Sequence, residues 1–228
     1  MALPVRRLAL ERTVRLVTSA RLRDPVLRGL VPADMVDDLA EIEGATSGRI
    51  MAQARGADGI GSAEFVAGLP QALFINAAFS YWRPRDLNRF NGPGRGAWYA
   101  AFAVETCLAE VIFHLTRELE RVGDFRAVVE YAELFASFAG EFCDLRGVVP
   151  VPACLDPDPA VGYPAGNALA ETLRTEGRNG IVYPSVRHPG GTCLVALFPH
   201  AVQSVAPGRV LRVTWAGGRA PTWDAVTD

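Results

Sequence analysis

Gly180-Ile181-Val182-Tyr183-Pro184-Ser185-Val186-Arg187-His188-Pro189-Gly190-Gly191, running on into Thr192-Cys193-Leu194-Val195-Ala196-Leu197-Phe198, sets a polar loop between two short apolar runs. Both runs have strand length and carry β-branched or aromatic residues, and Gly190-Gly191 supplies a turn. The stretch therefore reads as two buried strands, with a hydroxyl (Ser185) and two cationic or ionisable groups (Arg187, His188) at their junction. An earlier stretch forms a counterpart: Arg89-Phe90-Asn91-Gly92-Pro93-Gly94-Arg95-Gly96-Ala97-Trp98-Tyr99-Ala100-Ala101, followed by Glu105-Thr106-Cys107-Leu108-Ala109-Glu110-Val111. Together they suggest one site assembled from Arg89, Tyr99, Glu110 and Ser185.

Outward from these stretches, Val104 to Arg121 is the strongest helix, with Leu108, Val111, Ile112, Leu115 and Leu119 on one side. Ala72 to Phe79 and Gly96 to Ala103 read as strands, as does material from Phe125 to Val149. A proline-rich loop covers Val151 to Pro164, and Asn167 to Thr175 reads as a short helix closed by Gly177. Strands at Leu194–Phe198 and Val210–Trp215 complete the order. Strands with few helices between them predict an α+β domain on a mixed or antiparallel, split sheet, not a doubly wound parallel one. Ahead of it, Leu8 to Ala54 reads as helical: Leu8, Val14 and Leu16 recur among arginines, and Pro32 opens a segment with Met35, Val36, Leu39 and Ile42 at helical spacing. The expected division is a helical extension over residues 1–70 and the main domain over 71–228, with glycines 56, 59, 61 and 68 at the junction.

The chain has 228 residues, half of them apolar, a formal charge of −2 and a pI near 6.0. That supports a substantial core and gives no bulk electrostatic reason to bind nucleic acid. All 23 basic residues are arginine. Coding bias explains this most simply; a protein-modifying enzyme that gains from lacking lysine acceptors is the sharper alternative. Cys107, Cys143, Cys154 and Cys193 are dispersed in apolar surroundings and read as buried thiols of a reducing compartment. Arginines 6, 7, 12 and 15 interrupt the apolar N-terminal residues, so neither a signal-peptide core nor a membrane span is expected, and the reading is cytoplasmic.

Glu110 interrupts an otherwise core-facing helix segment, so it is either an ordinary helix position paired with His114 or Arg117, or a carboxylate buried for use. Tyr99 ends a strand just before that helix and offers an aromatic face. Arg89 stands in a glycine-rich loop where a guanidinium can grip phosphate in bidentate fashion; taken alone it reads as a surface arginine. The loop ending at Gly96 lacks the lysine and hydroxyl of a nucleotide P-loop and leads into a strand. Nor does Tyr183-Pro184-Ser185 form a nucleophile elbow, so Ser185 reads as a hydrogen-bonding group. His114, His188 and His200 have no metal-ligand spacing and read as surface or second-layer histidines.

Arg89 to Val111 with Gly180 to Phe198 resembles the RES-domain family, toxins of bacterial toxin–antitoxin pairs named for an arginine, a glutamate and a serine. Arg89, Glu110 and Ser185 match those three, and Tyr99 matches the family's intervening tyrosine; the resemblance spans about Ala72 to Trp215. It implies an ADP-ribosyltransferase-like fold, with NAD+ as the substrate, no metal, and cleavage of the nicotinamide–ribose bond. It also implies that Glu110 stabilises positive charge on the ribose, that Tyr99 stacks on the nicotinamide, and that Arg89 holds the pyrophosphate or nicotinamide end. Ser185 would orient ribose or nicotinamide, and Asn91 joins Arg89, Tyr99 and Ser185 in binding NAD+. The acceptor of ADP-ribose stays open among a protein side chain, slightly favoured, phosphate and water. A cognate antitoxin with a helix-turn-helix domain is the implied partner, with no direct nucleic acid contact; a non-enzymatic nucleic-acid or partner-binding module is the remote alternative. In one respect the chain departs from the pattern: Phe74–Phe79 lacks the arginine that many members carry on the first strand, with Arg83 or Arg85 as stand-ins.

Overall fold

A computed structural model describes residues 3–19, 60–80 and 87–226 of the chain. The predicted α+β architecture is present. Among the described residues a seven-stranded mixed sheet, in the order β1-β2-β5-β4-β3-β6-β7, carries three helices. The strands are β1 (Val5–Thr18), β2 (Trp98–Ala101), β3 (Arg126–Asp144), β4 (Gly180–Pro184), β5 (Thr192–Ala196), β6 (Val202–Ala216) and β7 (Thr222–Ala225), and the helices are α1 (Ala72–Ser80), α2 (Val104–Val122) and α3 (Pro159–Thr175).

β3 organises the sheet. One edge pairs with β1 almost throughout, from Val5↔Cys143 to Thr18↔Tyr131. Its other edge changes partner: β6 takes Arg126 to Phe138, and β4 takes Phe142 to Asp144 in the one parallel pairing. The sheet divides at that change. On one side α2 covers β3 and β6, with Leu108 packed among Tyr131, Leu211, Val213 and Trp215. On the other, β2, β5 and β4 form a short antiparallel group that returns to β1 through Val14↔Ala101.

Two elements differ from the sequence reading. Val5–Thr18 is a strand, not a helix. Leu8, Leu10, Val14 and Leu16 all fall at even positions, and a bulge between Leu10 and Thr13 sends the first pair and the second to different cores. The four-residue step from Leu10 to Val14 imitates a helical recurrence, while Val5, Thr13, Val14, Val17 and Thr18 are β-branched and suit a pleated strand. The rest of the expected helical extension, residues 20–54, lies outside the described residues. Conversely, Ala72–Ser80 is a helix. Ile75 and Phe79, four residues apart, are both fully buried, and Asn76 fastens the helix to Val66 through its amide (2.9 and 3.0 Å).

The expected helix ahead of Gly177 is longer than its pattern suggested and runs back through the proline-rich loop. Asp158 caps it by accepting from Ala160 N at 2.9 Å, with Pro159 in the first turn. Gly177, at φ 70°, closes it. All four cysteines are buried free thiols. Among the described residues no helix is long and apolar enough to cross a membrane.

Candidate active site

The antiparallel ladder brings the two quoted stretches together. β4 and β5 pair up to Pro184↔Thr192, and β5 pairs with β2 up to Ala101↔Cys193. Phe102 N extends that ladder by donating to Thr192 O (3.0 Å), and α2 starts two residues later. Ser185 and the first turns of α2 therefore emerge at the same end of the sheet. Ser185 Oγ donates to Glu110 Oε1 at 3.0 Å, and the Cys193 thiol lies 3.9 Å from the same oxygen. Ser185 is thus a hydrogen-bond partner of Glu110, and the Arg117 guanidinium sits 5.6 Å over Phe113.

Burial raises the Glu110 carboxyl above its ordinary pKa, against the lowering effects of Ser185's hydrogen bond, the Arg187 and Arg89 charges and the Cys193 thiol. Two neighbours stay protonated: desolvation pushes the Cys107 thiol up to about 12 and the Cys193 thiol higher still. Neither is a nucleophile at neutral pH. Cys107 Sγ donates to Val14 O (2.9 Å), and Cys193 is left as a weak donor to Glu110.

Across the cavity, the loop from Asn88 to Tyr99 rests on α3. Arg89 is 8 % exposed, not a surface arginine, and its Nη1 donates to Cys154 O (2.6 Å) and Asp156 O (2.9 Å). α3 meets this loop with two glycines. A Cβ on Gly166 would sit 1.9 Å from Arg89 O, and one on Gly162 2.5 Å from Asp156 O and 2.7 Å from Arg89 Nη1. Asn167 ties the same loop through Asn88 O (2.8 Å). Tyr99 OH donates to Asn91 Oδ1 (3.0 Å) and accepts from Phe90 N (2.9 Å), and burial raises its pKa. Asn91 spends its amide inside the protein, on Tyr99 and on Arg95 O (3.0 Å). The phenol is locked by its rim, and the ring forms a wall.

Two lobes meet on that wall. One, of about 230 Å³, is lined by Glu110, Arg89, Tyr163, Tyr183, Cys193 and His114 among others. The second, of about 330 Å³, runs past Phe74, Ala77, Ala78, Asn91 and Leu134. Both are bounded by Tyr99, Asn88 and Arg15, so together they offer an elongated space of the size that holds a small organic ligand, about 300–1,000 Å³. Glu110, Arg89 and Tyr99 line the first lobe, Tyr99 and Asn91 the second, and Ser185 lines neither but reaches the site through its bond to Glu110.

Arg15 is the residue that sequence reasoning missed. It stands on β1, donates through Nη1 to Tyr99 O (3.1 Å) and lies 4.8 Å over the Trp98 ring, at the junction of both lobes. The stand-ins for the absent first-strand arginine, Arg83 and Arg85, lie outside the described residues. β1, which reads as helix in the sequence, carries Arg15 to the cavity.

No curated protein matches the chain. A family model described as the RES domain matches residues 66–216, which include Arg89, Tyr99, Glu110 and Ser185. The chain belongs to the RES-domain family.

Proposed function

We propose that this protein is the toxin of a toxin–antitoxin pair and that it consumes NAD+ by breaking the nicotinamide–ribose bond. RES domains are linked to NAD+ handling. The observation that carries the reading is a carboxylate, Glu110, held by Ser185 in a cavity that Arg15, Arg89 and the Tyr99 ring also line.

That arrangement suits a dinucleotide that is anionic in the middle and develops positive charge at one end. The guanidinium groups attract pyrophosphate, and the face of Tyr99 attracts a cationic ring. As the bond between ribose C1′ and the nicotinamide nitrogen lengthens, its electron pair leaves with nicotinamide, and C1′ and the ring oxygen share positive charge. A fixed anion beside that centre stabilises the transition state more than the ground state, and the surrounding low-polarity wall enlarges its effect. The acceptor oxygen or nitrogen then bonds to C1′ and loses its proton. Ser185's hydrogen bond favours the ionised form of Glu110 against its burial and aims it while this happens.

The restraint such an activity requires leads us to propose a cognate antitoxin, with a helix-turn-helix part of its own, that covers this cavity. Incubating the protein with NAD+ labelled in the adenosine half, inorganic phosphate and a cell lysate tests the reading. Free nicotinamide is expected. Label in protein identifies an ADP-ribosyltransferase, label in ADP-ribose 1″-phosphate a phosphorylase, and label in ADP-ribose a glycohydrolase. Absence of nicotinamide release, with the protein folded, overturns the proposal.

A further inference from the structure

The hydroxyl of Ser185 has one proton to give and two lone pairs to share. All three are used inside the protein. The proton goes to Glu110 Oε1, and the oxygen accepts from Arg187 N (3.2 Å) and His188 N (3.0 Å) of its own loop. Ser185 N donates to Gly191 O (2.8 Å), and Gly191 N donates to His188 O (2.9 Å), so Ser185 to Gly191 is a ring closed at both ends. What this ring contributes to the cavity is an oriented hydrogen bond on the carboxylate.

A ring attached to α2 by that one bond would be free to pivot about it. A second attachment exists. His188 Nδ1 lies 2.9 Å from the hydroxyl of Thr106, which is fully buried in the first turn of α2. Thr106 and Glu110 are four residues apart, hence on the same face of the helix. The loop is thus pinned to one helix face at two places one turn apart. Gly191 makes the close approach possible, because a Cβ there would stand 2.6 Å from Thr106 Oγ1 and 2.9 Å from His188 Nδ1. Arg187, the residue between, packs its guanidinium 3.6 Å over Phe113 of the same helix and donates to Pro157 O (2.8 Å).

We propose that His188 is a positioning residue: by bonding Thr106 through Nδ1 it fixes the loop that aims Ser185 at Glu110. The proposal rests on the reading of Glu110 as the carboxylate that acts on NAD+. Its action is indirect, through Ser185, and it needs no contact with substrate.

Variants at His188 and Ser185 test it on the full chain. His188→Ala is expected to lower kcat for NAD+ by about ten- to a hundredfold, the scale of a small misplacement of a catalytic group, with KM nearly unchanged. An asparagine amide reaches the place of Nδ1 and a glutamine amide does not, so His188→Asn should recover most of kcat and His188→Gln should not. In a Ser185→Ala background, His188→Ala should cost nothing further, since its effect passes through that hydroxyl. A merely structural histidine would give additive losses and no difference between Asn and Gln; either result overturns the proposal.

A readout independent of turnover separates this from the functional reading. In the ¹³C-labelled protein the Glu110 carboxyl titrates, and loosening Ser185 should move its midpoint upward in His188→Ala and leave it near wild type in His188→Asn. If the wild type releases no nicotinamide, the reading of function fails while this titration still decides the positioning. An unchanged midpoint in His188→Ala overturns it.

Discussion

The cavity's two walls are built on opposite principles. On the α2 side, Glu110 is reached by one strong hydrogen bond, from Ser185, and burial works against its charge. On the α3 side, Arg89 and Asn91 are buried; Arg89 Nη1 donates to the Cys154 and Asp156 carbonyls, and the Asn91 amide is held by Tyr99 and Arg95. The first wall holds a charge at a cost to folding; the second is a rigid frame that gains from its bonds. Substitutions in the α2 wall should therefore strike rate more than stability, and those in the α3 wall stability and substrate affinity more than rate.

Glu110→Gln gives the largest effect. Removing the one charge beside C1′ is expected to lower kcat by about a thousandfold, the loss associated with a preorganised electrostatic group. Stability should move the other way. A carboxyl whose folded pKa is raised contributes stability that is complete below its unfolded pKa and disappears as pH rises through the folded value, so above the ordinary glutamate range the buried Glu110 works increasingly against the fold. The amide should thus raise Tm at pH 7 and leave it nearly unchanged at pH 4, by thermal melts at both. The same sign makes wild-type turnover climb with pH through a midpoint above the ordinary glutamate range. A Tm that falls on substitution would mean that the α2 wall is as structural as the other.

Ser185→Ala comes next. It leaves Glu110 charged but without its strongest hydrogen-bond donor, and the carboxyl pKa should rise further because that bond lowers it. Loss of about ten- to a hundredfold in kcat corresponds to about 1.4–2.7 kcal/mol of transition-state stabilisation. Nicotinamide release measured from pH 5 to 9 should show the midpoint displaced upward. An unmoved midpoint would separate Ser185 from Glu110 and return it to direct contact with substrate.

In the α3 wall, Gly166→Ala forces a methyl group into space held by Arg89 O. Overpacking of this kind costs about 1–3 kcal/mol, of which alanine's better helix propensity returns at most about 1 kcal/mol. A lower denaturation midpoint with a raised KM for NAD+ and a largely preserved kcat is the expected pattern. Loss of kcat without loss of stability would erase the contrast between the walls.

What the sequence disclosed divides along the same line. Glu110 and Ser185 were legible because a carboxylate inside an apolar helix face and a hydroxyl at a strand end conflict with their surroundings. The strand pairing that unites them followed from two apolar runs. Arg15 was hidden because the four-residue step from Leu10 to Val14, where the strand bulges, reads as a helical recurrence among arginines. Ala72–Ser80 was hidden because its apolar residues, Ala72 to Ile75 and Ala77 to Phe79, are broken only by Asn76, so that neither a helical nor a strand period stands out. Arg89 looked like a surface residue because the groups that bury it, Gly162, Gly166 and the carbonyls of Cys154 and Asp156, lie more than sixty residues away. Long-range burial of a charge leaves no local mark in composition or spacing.

Tyr99→Phe is the finest test of the contrast. The ring that bounds both lobes remains, and with it any stacking on a cationic ring, while the hydroxyl that joins Asn91 Oδ1 to Phe90 N disappears. Two buried partners lose a bond, and an unsatisfied buried polar group costs about 1–3 kcal/mol. Because Asn91 keeps its bond to Arg95 O and can turn only slightly, a loss near the low end of that range is expected by denaturant titration. If the phenol serves only the frame, kcat should stay within about twofold of wild type, the mark of a group that supports binding and transition state alike. A large fall in kcat at preserved stability would instead assign the hydroxyl to the chemistry, and the α3 wall would then be a second catalytic face with a proton to move.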